Sequence, residues 1–224
     1  MLGGTAHAGI ILTAILTNAQ ENPPVGTVVS PLLTGPGGPD PSASRPVSFG
    51  TATFELNDAM TALTFTSTVF NIDFTGNQTP GTFDNFVAGH IHAGAAVTPA
   101  TNGPVVWGFF GTPFNDTMPT NTVIVPFLTG VGGTVTGTWD LPEGNSTATN
   151  PNVNLTTQLS FILTGRSYIN FHTAQFPGGE VRGQLVPEPS TTLLLAFGAL
   201  GLLGFSARSR RSVKVARYIR NRLA

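Results

Sequence analysis

Three histidines set the chemistry this sequence can do. His90 and His92 stand two residues apart in Gly89-His90-Ile91-His92-Ala93-Gly94. On a strand, that spacing puts both imidazoles on one face, about 6.6 Å apart along it. His172 belongs to a second extended segment, Tyr168-Ile169-Asn170-Phe171-His172, with Glu180 just beyond the following turn. Two imidazoles on one strand face, joined by a third from a neighbouring strand, form a ligand set for Zn or Cu. Three histidines without a fourth ligand would leave one coordination position open. The competing use is structural: the rings hydrogen-bond loop carbonyls, while Glu180 and Arg182 satisfy nearby polar groups, most simply in an Arg–carboxylate pair. No residues qualify as catalytic. The chain has no Gly-x-Ser-x-Gly elbow, no placeable Ser/His/Asp set and no carboxylate pair at a defined spacing. Gly178-Gly179 precedes a strand rather than a helix, so it reads as a turn and not a phosphate cradle. No cofactor is expected beyond the Zn or Cu option, and the chain reads as a non-enzyme; the alternative is a metal-binding extracellular protein or metalloenzyme using His90, His92 and His172.

Those histidines need strands to hold them, and the composition favours strands. The body is rich in Thr, Val, Phe, Gly and Pro, which suits a pleated sheet with tight turns. Cysteine is absent, so neither a disulfide framework nor a thiolate site is available. The formal charge of −1 conceals a division. Up to position 207 there are three basic residues, Arg45, Arg166 and Arg182, against eleven acidic ones, a net of −8. That balance excludes nucleic acid as a partner, because phosphate binding needs clustered Lys and Arg.

In order, residues 10–17, 49–56, 63–70, 87–93, 105–110, 122–128, 133–141, 167–174 and 180–186 read as strands. Ala52, Phe54 and Leu56 form the inward set of one; Leu63, Phe65, Ser67 and Val69 share a face of its neighbour. Asn57-Asp58-Ala59-Met60 is the hairpin turn between them. Residues 30–46, with five prolines, are a loop insertion. Residues 155–163 fit a short helix or an extended segment. The sum is an all-β fold, an antiparallel sandwich or barrel. Trp107, Trp139 and the phenylalanines could supply a stacking platform for a matrix polysaccharide, or could equally be core.

The last part of the chain has a different character. Val186-Pro187-Glu188-Pro189-Ser190 leads into an uncharged apolar run, and seven of the ten Lys and Arg residues follow within the last seventeen positions. The prolines break any incoming element. The run, placed at about 191–207, is short for a bilayer span, and snorkelling Arg would close part of the gap. Arg208, Arg210 and Arg211 would hold it on the cytoplasmic side, which puts the body outside. The order of Pro187-Glu188-Pro189, transmembrane helix and Arg cluster over residues 187–212 resembles a PEP-CTERM sorting signal, followed here by a basic tail, 213–224. The resemblance implies export, transient anchoring in the inner membrane, an exosortase as partner, cleavage near Pro187-Glu188-Pro189, and delivery to the cell envelope or extracellular matrix. Residues 1–9 read as a leader or the remnant of a truncated signal peptide, with Ala6-His7-Ala8 fitting the small-x-small pattern before a cut.

A second resemblance covers residues 10–186. Ala19-Gln20-Glu21-Asn22-Pro23-Pro24, Gly89-His90-Ile91-His92-Ala93-Gly94 with Gly103-Pro104-Val105-Val106, and the long run from Tyr168 through Phe176-Pro177-Gly178-Gly179-Glu180-Val181-Arg182-Gly183-Gln184-Leu185 resemble a CHRD domain. That family implies an immunoglobulin-like β-sandwich or barrel without enzymatic activity, in keeping with a binding or structural role toward matrix polysaccharide or envelope proteins.

Overall fold

The computed structural model describes residues 9–25, 34–35, 38–39, 45–144 and 153–188. Its strands are β1 (Ile10–Thr17), β2 (Thr34–Gly35), β3 (Gly38–Pro39), β4 (Phe49–Leu56), β5 (Ala62–Phe70), β6 (Phe86–Ala93), β7 (Val105–Phe110), β8 (Val123–Pro126), β9 (Gly132–Asp140), β10 (Ser167–Thr173), β11 (Val181–Gln184) and β12 (Val186–Pro187), with one helix, α1 (Leu155–Ile162). Apart from the small β2–β3 ladder, they form one ten-stranded sheet in the order β7-β6-β10-β11-β1-β4-β5-β9-β8, with β12 also pairing β1. All pairings between these strands are antiparallel. The sheet curls into a half-barrel, so the all-β antiparallel expectation holds and the barrel-like arrangement is the one adopted.

Period-two patterning explains the core. Leu12, Ala14 and Leu16 of β1, Ala52, Phe54 and Leu56 of β4, and Leu63, Phe65 and Val69 of β5 are all buried, while their sequence neighbours face outward. Burying each large side chain contributes roughly 1.5–3 kcal/mol. The β4–β5 register runs unbroken from Phe49↔Phe70 to Leu56↔Leu63. Asn57 closes the hairpin: its side-chain oxygen accepts from the Thr61 amide at 2.8 Å, and Met60 takes a left-handed φ of 57°.

Within residues 155–163, Leu155–Ile162 form a helix because Asn154 caps them. Its Oδ1 accepts from the Thr157 amide at 3.1 Å, and the Asn154 amide donates to Thr157 Oγ1 at 3.1 Å, a reciprocal capping box. Leu155 and Ile162 then join the core. The last strand, expected to run from 180 to 186, is interrupted at Leu185. That residue is fully buried and donates its amide to Ser167, after which β12 pairs with Leu12 and Thr13.

The tryptophans are not a platform for sugars. Trp107 and Trp139 are fully buried and stack on each other at 5.9 Å with an 8° tilt. Glu143 clamps both indoles: Trp107 Nε1 donates to its carboxylate at 3.0 Å and Trp139 Nε1 to its backbone carbonyl at 2.8 Å. The same carboxylate accepts the Thr117 and Met118 amides, each at 2.7 Å.

The chain divides into two units, Met1–Pro187 and Glu188–Ala224. Among the described residues no helix is long and apolar enough to cross a membrane. The expected span at about 191–207, Pro189, Arg208, Arg210, Arg211, the tail 213–224, most of the 30–46 insertion and residues 1–8 of the leader lie outside the described residues.

Candidate metal centre

Strand register brings the three histidines together. In the β6–β10 pair, Tyr168 lies opposite His92 and Asn170 opposite His90, and His172 sits one step further along the same face. Ile91, Ile169 and Phe171 alternate with them and take the other face into the core. Every residue of β10 is nonetheless buried, because loops roof the polar face. Gly108 makes one of these roofs fit. A Cβ there would lie 1.8 Å from the Pro113 carbonyl and 3.2 Å from the His90 ring.

The roof fixes each ring. His90 Nε2 is 3.1 Å from the Thr112 carbonyl, His92 Nδ1 is 2.8 Å from the Gly103 carbonyl, and His172 Nδ1 is 2.9 Å from the Pro177 carbonyl. A carbonyl only accepts, so each of these nitrogens carries its ring's proton. The inward nitrogens, His90 Nδ1, His92 Nε2 and His172 Nε2, are left as bare lone pairs. His90 Nδ1 and His172 Nε2 face each other at 3.1 Å, and His92 Nε2 is buried without a partner. One nitrogen from each of the three rings lies within 4.8 Å of the others. Asn170 Oδ1 stands 3.1 Å from His172 Nε2, one acceptor facing another. With its amide turned over, its NH2 reaches at most the His172 and His92 nitrogens, which leaves His90 Nδ1 without a donor.

Added protons do not resolve the conflict. Burial, together with the neighbouring His172 and His92, pushes His90 down to about 3. Burial pushes His92 down to about 4 and also lowers His172. All three rings are therefore neutral near pH 7 and available as ligands.

A further layer steadies the site. The Tyr168 ring stacks on His92 at 4.5 Å with an 8° tilt, and the Arg182 guanidinium lies 4.4 Å from the Tyr168 centroid. Arg182 donates to Asn102 Oδ1 at 2.8 Å and to the Pro99 carbonyl at 2.7 Å, tying down the loop that carries Gly103. The Arg–carboxylate pair expected at this end of the chain forms elsewhere. Glu180 is engaged by Arg45, Ser48 and Thr173, all buried, and so is not a fourth ligand at the histidines. Arg182 is served by neutral oxygens, with Glu21 as its electrostatic counterpart.

Glu21 gives a pH prediction. It is 5 % exposed, and one carboxylate oxygen has no partner. Gly179, at φ +123°, makes room for it, since a Cβ there would lie 2.8 Å from the carboxylate. Burial raises its pKa from 4.5 to about 7 against the pull of Arg182. Below 4.5 the group is protonated folded or unfolded; between 4.5 and about 7 only the unfolded chain releases its proton. Its contribution to stability is thus complete below 4.5 and lost as pH rises through about 7, on the order of 3 kcal/mol. Urea unfolding at both ends of that window should show Glu21→Gln losing less stability than the parent as pH rises. An identical decline in the two proteins would contradict the assignment.

The sequence reading reached all three histidines but missed Tyr168, Asn170, Gly108 and Arg45. The period-two run Tyr168-x-Asn170-x-His172 was the available signal for the first two. For Arg45 no local signal exists, because its carboxylate partner Glu180 lies 135 residues away.

Comparison with known families agrees with this architecture. A family model described as the CHRD domain matches residues 12–185. A second, described as the PEP-CTERM protein-sorting motif, matches residues 185–211. No curated protein and no solved structure matches the chain.

Proposed function

Given that this chain belongs to the CHRD-domain family, a non-enzymatic β-fold family, and carries a PEP-CTERM motif that marks an exported, exosortase-sorted protein, we propose that it is a surface-delivered binding or structural β-domain. A helix at about 191–207 holds it transiently at the inner membrane, with Arg208, Arg210 and Arg211 on the cytoplasmic side. Exosortase cuts near Pro187-Glu188-Pro189, and the body then acts in the envelope or the extracellular matrix.

The observation that carries this reading is where the folded unit ends. The β-domain unit closes at Pro187, with β12 paired to β1 through Val186 and Pro187, and Glu188 is exposed. A cut after this point removes no strand of the sheet among the described residues. The test is fractionation in the native host with and without its exosortase. Loss of the enzyme should shift the protein from the outer fractions to the inner membrane. An unchanged distribution would overturn the reading.

A further inference from the structure

We propose that His90, His92 and His172 together bind one divalent late first-row transition-metal ion, copper or zinc, through His90 Nδ1, His92 Nε2 and His172 Nε2. This goes beyond the sorting reading and does not depend on it.

Proton counting carries the inference. Three neutral imidazoles have three N–H groups, and three backbone carbonyls, Thr112, Gly103 and Pro177, consume all of them. The inward nitrogens have no proton to share among themselves, yet two sit 3.1 Å apart and the third, buried, has only the Asn170 side chain near it. Lone pairs held face to face repel, and a cation between them turns the repulsion into three bonds. The outward N–H groups donating to carbonyls are the arrangement that orients and strengthens imidazole ligands. Zn–N bonds of about 2.0–2.1 Å at a tetrahedral angle separate two nitrogens by about 3.3 Å. The His90–His172 pair is already near that spacing, and small ring rotations bring in His92.

The donor set also names the class of ion. Among the described residues the cluster is all imidazole, with no carboxylate in it; Glu180 pairs with Arg45, and Glu21 lies under the pull of Arg182. Calcium and magnesium want oxygen ligands, so they are disfavoured, whereas copper and zinc suit nitrogen. All three histidines are buried, and a water or a small anion would fill the open coordination position.

The probe is the untagged full chain in detergent, stripped with a chelator, then titrated with Cu²⁺ and separately with Zn²⁺. One equivalent of metal should bind and raise the melting temperature. The Cu²⁺ electron paramagnetic resonance spectrum should carry hyperfine structure from three equatorial nitrogens. His92→Ala should weaken binding by more than about 100-fold, and His7→Ala, at the fourth histidine of the chain, should leave it unchanged. Competition between the two ions identifies which is preferred. Fewer than three coordinated nitrogens in the wild-type spectrum would overturn the proposal even if the His92 variant failed to fold. Binding lost in His7→Ala, or absence of saturable one-to-one binding, would overturn it too.

Discussion

Replacing Arg182 with alanine should lower stability by about 4 kcal/mol, since a fully buried charged donor fork and its packing vanish together. Its guanidinium donates to Asn102 Oδ1 and Pro99 and approaches the Thr98 and Thr101 carbonyls at 3.4 Å, so the loss frees the exposed 98–102 loop from the buried cation that ties it down. It also removes the cation from the Tyr168 face, worth roughly 1–2 kcal/mol where desolvated. For a domain of this size, the melting temperature should fall by roughly 10–15 °C. Arg182→Lys should recover only part of this, because an ammonium cannot reproduce a planar fork stacked on a ring. Because Tyr168 stacks on His92 and the tethered loop supplies the Gly103 carbonyl to the same ring, Arg182 is a positioning residue for the proposed metal centre. Copper affinity in Arg182→Lys should fall by about 10-fold with the number of coordinated nitrogens unchanged. Thermal denaturation within a few degrees of the parent would contradict this account.

Glu180→Ala should cost about 3–5 kcal/mol, the usual consequence of stranding one partner of a buried ion pair. Arg45 would remain buried, facing only Ser48, the Asn71 carbonyl and Gln175. The hydroxyls of Ser48 and Thr173 would lose their acceptor as well. The pair joins the segment just before β4 to the turn after β10, a span of 135 residues, so its loss loosens the β-domain at a long-range closure. The double variant Arg45→Met/Glu180→Leu should regain most of the loss, since apolar groups of similar volume often replace a buried pair without penalty. Urea unfolding of the single and double variants measures both values. A single-variant loss below 1 kcal/mol would show that the pair is dispensable.

Much of the fold was legible because its signals are local. Leu12, Ala14 and Leu16, or Leu63, Phe65 and Val69, alternate with polar residues and declare both strand and inner face. His90 and His92 share a face by the same rule, and His172 follows from its place in a third such run. What escaped depends on pairing between distant segments. Nothing local says that β10 lies between β6 and β11, and only that order sets His172 beside His90. Arg45 sits at the end of a proline-rich stretch that reads as an insertion, yet it supplies the charge that Glu180 needs. Trp107 and Trp139 could have been surface or core. Glu143, which satisfies both indoles, makes them core, and that depends on the Asp140–Glu143 turn folding back beneath them.

The most direct test of the central claim is the intact mass of the protein recovered from outside the inner membrane of its own host. The expected species ends near Pro187, carrying the complete β-domain and none of the apolar run or basic tail. A full-length chain at that location, or full-length chain confined to the inner membrane of a strain with an active exosortase, would contradict it.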